Sequence, residues 1–418
     1  RDVLCNERHA CTFRRFDVQH HHDVACLNVE GIKMSTTKQI FEERQSIYED
    51  VLNGKTPKRV PIDVACISSD FAIEYAGMNL LKAQYDMNMI AEAFEILCKN
   101  FNKGDLFPSY HSRLAGGYQI LDSQSFIMGS SGVIQHPEVV GMSVDDYDYL
   151  IEKPYDCLVE KIIPNHYKSL RGNKMQSALA LGKYVSYSNE CMGIIYGKIA
   201  ELTESYGFFE HSPGGYAATP LDFLADQLRS FKGISMDFRR FPEKVEAACE
   251  ALLPLLIKMG LAGGVGKFGR IELDLHMGPY MKPKDFERFY WPTFKKQVDA
   301  YAQAGQRSLL FVENNWTPHF DKLQDLPAGT VLRFEFGDPK TIKEKFGNKF
   351  IISGLYPISL LKMGTKQQCI DKAKELLDIL APGGNYFFNF DKEIITLDSI
   401  NIENYNAVID YVLENGKY

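Results

Sequence analysis

The chain has no surplus of basic residues: 47 Lys and Arg stand against 54 Asp and Glu, a formal net charge of -7. It offers no positive field to a phosphate backbone, so nucleic acid is not an expected partner. No apolar run reaches the about 18 residues that a membrane-spanning helix requires, so no membrane is expected either. The first 33 residues mix Arg, His, Asp and Cys without the apolar core of a secretory signal. The nine cysteines contain no Cys-x-x-Cys pair and no regular spacing. They read as reduced thiols, most of them small core residues, in a cytoplasmic protein. No Gly/Ser-rich linker and no short internal repeat divides the chain. Gly260-Leu-Ala-Gly-Gly-Val-Gly266 follows a helical stretch rather than a strand, which excludes the dinucleotide-binding fingerprint.

What is present is the composition of a globular protein with a large core, 45% hydrophobic and 24% charged. Residues 1–33, with His20, His21 and His22 in a row, show no amphipathic period. They are expected to be a leader outside the fold, with Met34 as the natural start and 34–418 as one domain. After Met34, Ile40, Phe41, Ile47, Tyr48, Val51 and Leu52 recur at helical spacing until Gly54 and Pro57 stop the run. A strand is predicted over 60–65, a helix over 85–101 and a short apolar-aromatic segment over 107–110. Further strands are predicted over 184–190, 271–276, 308–315, 331–335, 350–354 and 386–391, with helices over 242–259, 284–304 and 366–380 between them. Such alternation argues an α/β fold with a parallel sheet and crossover helices. The strand count approaches the eight of a (β/α)8 TIM barrel. The stretch from 107 to 183 is long for one βα unit and is expected to hold an insertion or lid in the N-terminal half.

In such a barrel the reactive groups stand at the C-terminal ends of the strands. That rule nominates Asp63, Glu190, Asp274, His276, Glu313, Glu335 and Asp391. Taken singly, each carboxylate also reads as a helix cap or a loop ion pair. Imidazole binds zinc and titrates near neutral pH, so His276 in Leu-Asp-Leu-His-Met-Gly reads as a metal ligand, an acid/base or a structural histidine. For His211 and His319, in looser contexts, the structural reading is the plainer one, and His211 is kept as a substrate-binding candidate.

Several segments together resemble one family. They are Arg59-Val-Pro61, Glu74-Tyr-Ala-Gly77, Pro279-Tyr-Met-Lys-Pro-Lys-Asp-Phe-Glu-Arg-Phe-Tyr-Trp-Pro292 and Phe350-Ile-Ile-Ser-Gly-Leu-Tyr-Pro357 with Gly364-Thr365. Near the end come Gly383-Gly-Asn-Tyr-Phe-Phe388, Ile402-Glu-Asn404 and Ala407-Val-Ile409. Over residues 37 to 415 the chain resembles the uroporphyrinogen decarboxylase superfamily, on the branch that moves methyl groups to or from corrinoid proteins. The resemblance implies a (β/α)8 barrel. True uroporphyrinogen decarboxylases carry an arginine-rich loop after the first strand that holds an acidic tetrapyrrole. Here that stretch is Asp63-Val-Ala-Cys-Ile-Ser-Ser-Asp-Phe-Ala72, without arginine, which disfavours an octacarboxylate.

The resembling methyltransferases bind zinc through a His-x-Cys pair and a late cysteine. Their places fall here at Phe311-Val-Glu313 and Phe390-Asp391, so the soft ligands are gone and thiol activation is not expected. The resemblance therefore nominates Glu313 and Asp391, with His276 as the third group, as catalytic residues and as ligands of a harder zinc site; a metal-free site using the same carboxylates as acids stays open. It implies an O-demethylase component that passes a methyl group from a small methoxylated, aromatic compound to a separate corrinoid protein. No DxHxxG corrinoid-binding motif is present, so the corrinoid would come on that partner. Asp63, Glu190, His211, Tyr280, Trp316 and Glu335 are the substrate-binding candidates, and Phe208, Phe209, Tyr216, Tyr280 and Trp316 would suit a flat apolar substrate or serve as packing. A lyase of the decarboxylase type on another substrate and a non-catalytic barrel that binds a corrinoid protein are the alternatives, and a homodimer is open. Because the leader has no apolar face to bury, deleting residues 1–33 is expected to leave the thermal midpoint nearly unchanged; a drop of several degrees in a melting experiment would show that it packs on the fold.

Overall fold

The computed structural model describes residues 27–418, and the expectation for residues 1–26 lies outside them. The first helix, Leu27–Leu52, begins ahead of Met34, so secondary structure does not start at the predicted boundary. Eight parallel segments follow in a ring: β1 (Ile67–Ser68), β2 (Ser109–Tyr110), β3 (Gly214–Tyr216), β4 (Arg270–Asp274), β5 (Arg307–Val312), β6 (Val331–Phe334), β7 (Ile351–Tyr356) and β8 (Asn389–Phe390). Strands β3 to β8 form one sheet in chain order, and β1 pairs with β2. Two further links close the circle. Leu106 bridges Phe209, and the β1 segment meets the β8 segment through Ile62↔Phe388 and Ile67↔Ile394, all parallel. The (β/α)8 TIM barrel inferred from alternation is the fold.

The sequence pattern explains which side faces where. In β4, Ile271 and Leu273 are fully buried in the main core against the surrounding helices, whereas Arg270, Glu272 and Asp274 are half-buried. Alternation along a strand turns these three toward the lumen. The lower end is sealed by a separate apolar cluster in which Tyr48 and Val51 of the first helix meet Phe209, Leu309, Val331, Ile351 and Phe387. Tyr48 stacks on Phe209 with centroids 4.3 Å apart. Arg44 anchors the same helix by donating to the carbonyls of Tyr206 and Gly207 at 3.0 and 2.9 Å.

Three expectations change here. Residues 184–190 are not a strand; they lie within the 33-residue helix Lys174–Tyr206, which Asn173 and Gln176 cap reciprocally and Gly207 ends at φ 64°. The β-forming Tyr184, Val185 and Tyr187, flanked by Gly182 and Ser188-Asn189, suggested a strand, but packing of the rings decides otherwise. Tyr187 and Tyr184 instead press on Gly116 and Gly117, where a Cβ would collide with either ring. The strand that completes the count is β3, whose Gly-Gly-Tyr is too short and glycine-rich to read. The insertion is also longer than predicted: it runs from the end of β2 to β3 and contains the hairpin Ile127–Met128/Ile134–Gln135 as well as the long helix. No helix among the described residues is long and apolar enough to cross a membrane.

Asp63 is the third correction, because strand pairing continues past it to Ser68 and it therefore sits near the lower end, not at the mouth. There it accepts from Arg270 at 3.0 Å and from the Tyr48 hydroxyl at 3.3 Å, with His211 Nε2 3.5 Å away. Burial alone would raise its pKa, yet the Arg270 charge and His211 hold it well below the usual carboxylate range. His211 is buried with it, its other nitrogen donating to the Phe268 carbonyl at 3.2 Å. Both residues belong to the barrel's base rather than to a substrate site. Asp63→Ala would strand Arg270 in the interior and is expected to destabilise the fold by about 3–5 kcal/mol, measured by urea unfolding; a loss under about 1 kcal/mol, the level of an exposed ion pair, would contradict this account.

Candidate active site

The chain turns sharply where β4 ends, and this turn presents His276. The base of the turn is fixed by Asp222, at the start of the helix Pro220–Phe223. Asp222 is fully buried and accepts from the Met277 N–H at 2.8 Å, the Tyr290 hydroxyl at 2.6 Å and the Thr219 hydroxyl at 2.8 Å. Behind the turn, Trp316 packs edge-on to Tyr290 and Phe286 and presses against Gly278, whose carbonyl accepts from His319 at 3.0 Å. Trp316 and His319 are thus buried supports of the His276 turn, and Trp316 is not a substrate contact.

On one side of the imidazole, Nδ1 is hydrogen-bonded to Glu313 Oε2, from the residue after β5. On the other, Nε2 lies 3.7 Å from Asp226 Oδ2, beyond hydrogen-bond reach but within range of the charge. Burial alone would lower the His276 pKa; the Glu313 hydrogen bond and the charges of Asp222, Asp226 and Glu313 outweigh it and raise it to about 9. At neutral pH the ring is therefore an imidazolium. Its Nδ1–H is committed to Glu313, and its Nε2–H is the free proton. Burial raises Asp226 to about 6 despite the nearby His276, and burial with the Glu272 charge raises Asp274 to about 6. Asp274 also accepts from the Tyr216 hydroxyl at 3.1 Å. Two carboxyl groups raised toward neutrality beside a protonated histidine in one cleft make this the candidate site for acid–base chemistry.

These groups open into a cavity of about 1050 Å³. His276, Glu313, Asp226, Asp274, Tyr216 and Tyr280 line its inner part, and Arg113, Phe126 and the segment 136–139 of the insertion form another wall. The insertion therefore covers the mouth as a lid would. Of the predicted site, the structure brings together His276, Glu313, Asp274 and Tyr280. It does not bring in Asp391, whose Oδ1 accepts from the Ile358 N–H at 3.0 Å at the start of the helix Ile358–Met363. Glu335 ties two loops by accepting from Asn314 N–H at 2.7 Å and Lys392 at 2.8 Å. Glu190 is exposed on the long helix, and Phe208 and Phe209 are core. Asp226 and Asp222 were missed because Leu-Asp-Phe-Leu-Ala-Asp-Gln-Leu reads as an ordinary amphipathic helix.

The expected zinc ligands do not form a set. His276 and Glu313 meet each other, Asp391 serves a helix terminus, and among the described residues no group of three or more His, Cys, Asp or Glu is arranged to hold a metal ion. Among the described residues, those present do not fit that group.

The chain is thus a (β/α)8 barrel with a cluster of titratable groups, His276, Glu313, Asp226 and Asp274, in a cavity at its mouth. Residues 214–414, from β3 to the last helix, match the family described as Uroporphyrinogen decarboxylase (URO-D). A methyltransferase from Methanosarcina mazei has a similar structure, with a TM-score of 0.60 at 15% sequence identity, covering 90% of this chain and 98% of that one. None of the curated proteins matches the chain in sequence.

The raised His276 pKa fixes the sign of a stability effect. Its contribution is fully present below the ordinary value of 6.5 and is lost as pH rises through about 9. Glu313→Gln should lower the His276 midpoint seen by NMR, and should flatten the fall in thermal stability between those pH values. Asp391→Ala should leave that midpoint in place and cost about 1 kcal/mol, as loss of a helix-terminal acceptor does. The opposite ranking would return Asp391 to the site.

Proposed function

We propose that the protein is a methyltransferase that takes a methyl group from a small methoxylated compound and hands it to a corrinoid held by a separate protein. The observation that carries this reading is the His276 imidazolium, held by Glu313 and Asp226 at the wall of a large cavity in a barrel that matches this family over residues 214–414. An ether oxygen leaves poorly as an alkoxide or phenoxide, so the C–O bond needs a proton delivered to the oxygen as it breaks. His276 Nε2–H is the group placed to give that proton. The methyl carbon passes to the nucleophilic Co(I) of the partner's corrinoid, forming a Co–C bond while the C–O bond breaks, and the substrate departs as an alcohol or phenol. Glu313 keeps Nδ1–H in place, so the neutral ring that remains has Nε2 bare and ready to recover a proton. Tyr216 and Tyr280 give the cavity the aromatic walls that suit a methoxylated ring. The likeness to the methanogen methyltransferase supports the class and leaves the donor to experiment.

The test is to mix the protein with a Co(I) corrinoid protein and a panel of methyl ethers and follow the cobalt spectrum. Methyl-Co(III) should form with at least one ether. His276→Gln should slow it by about 10²–10⁴-fold, the range of a lost general acid. Formation at the parent rate in that variant would remove His276 from the chemistry; no methyl-Co(III) with any ether would remove the methyl-ether reading.

A further inference from the structure

Asp226 does not stand on a regular helix. Leu224–Arg229 is a π-helical turn continuing from Pro220–Phe223, and the next residue, Ser230, has φ 68° and ψ 156°. A serine in that region is strained, and such backbone persists only where its surroundings impose it. Those surroundings come from the insertion. His166 Nε2–H donates to the Gln227 carbonyl at 2.7 Å, directly after Asp226. Met142 N–H donates to the Leu228 carbonyl at 2.9 Å, and Arg229 donates to the Met142 carbonyl at 2.6 Å. His166 is buried, and its Nδ1 accepts from the Ser125 hydroxyl, which fixes the tautomer that donates from Nε2. Gly141 lies so close to the ring that no side chain fits there. Burial also lowers the His166 pKa, so the ring stays neutral and keeps both bonds.

We propose that His166 is a positioning residue of the active site: with Ser125 it holds the π-helical turn in the register that sets Asp226 opposite His276 Nε2. This rests on His276 being the acid of the site, and it goes beyond that reading by making the insertion part of the acid's environment. A π-turn carries one residue more per turn than an α-helix, so its relaxation would rotate Asp226 along the helix surface. The groups that face His276 are Glu313 from the residue after β5, Asp222 and Asp226 from the helix and its π-turn, and Asp274 from its own strand. Only Asp226 is carried by the backbone that His166 holds.

The experiment follows the His276 ring by NMR pH titration in the full-length chain, without substrate or corrinoid. Asp226→Asn should weaken proton binding at His276 about tenfold, one pKa unit. His166→Leu should shift it in the same direction by at least about threefold. His166→Gln, which places an amide N–H near the position of Nε2–H, should restore most of the parent value. In the Asp226→Asn background His166→Leu should add nothing, because a residue acting through another has no separate effect once that other is gone. If His166→Leu does not fold, Ser125→Ala carries the same expectation, having lost only the hydroxyl that orients the ring. A His276 midpoint unmoved by both His166→Leu and Ser125→Ala, or a shift that persists undiminished without Asp226, would overturn the proposal. Failure to methylate cobalt with these shifts present would reject the methyltransferase reading and leave this one standing.

Discussion

A closed ring of eight short strands encloses a lumen in which buried cations are each matched by a carboxylate, and much of this protein is organised by that constraint. At the base, Asp63 is matched by Arg270. Higher up, Arg333 reaches Glu393 at 3.0 Å and lies over the Phe311 ring at 4.9 Å. At the mouth, His276 is matched by Glu313. The lower pair is sealed beneath by Tyr48 and the apolar cluster around it, so it stays ionised and serves stability. The upper group borders an open cavity, and there the Glu313 hydrogen bond and the nearby carboxylate charges outweigh burial and keep the histidine protonated. One kind of interaction thus has two uses, and depth in the barrel decides between them.

The mouth shows how the rest of the chain is recruited. A βα turn presents His276, the following strand supplies Glu313, and a π-turn between β3 and β4 supplies Asp226. The insertion between β2 and β3 adds the outer wall and grips that π-turn through main-chain carbonyls. A cavity built this way has a polar, proton-rich floor and aromatic sides.

Periodicity and strand-end logic made the barrel and its reactive end legible, because compact apolar strands such as 308–312 leave a regular trace and their last polar residues face one opening. His276, Glu313 and Asp274 were found in this way. Where the trace failed, a physical cause is visible. Residues 184–190 carry β-forming side chains on a helix whose packing, against Gly116 and Gly117, is set by partners nearly seventy residues earlier. Gly-Gly-Tyr at β3 pairs through its backbone alone and leaves no pattern. Asp63 resembled a strand end because the polar residue interrupts an apolar run, while the hydrogen bonds continue to Ser68.

The amino-acid order by itself determined the alternation of strand and helix, the absence of basic and membrane-spanning character, and the set of acidic and histidine side chains that a barrel mouth would gather. Those follow from local rules of spacing, which need no knowledge of the partner. Only the tertiary structure decided which carboxylates meet the imidazole. Asp391 and Glu313 are equivalent by position along their strands, yet one accepts a backbone N–H from Ile358 and the other the ring of His276. Asp226, hidden in a helical pattern, reaches the same ring because the π-turn is held by side chains distant in sequence. Charge pairing inside a barrel depends on separations of 3 to 4 Å between groups dozens of residues apart, and that information is carried by the packing of the whole ring.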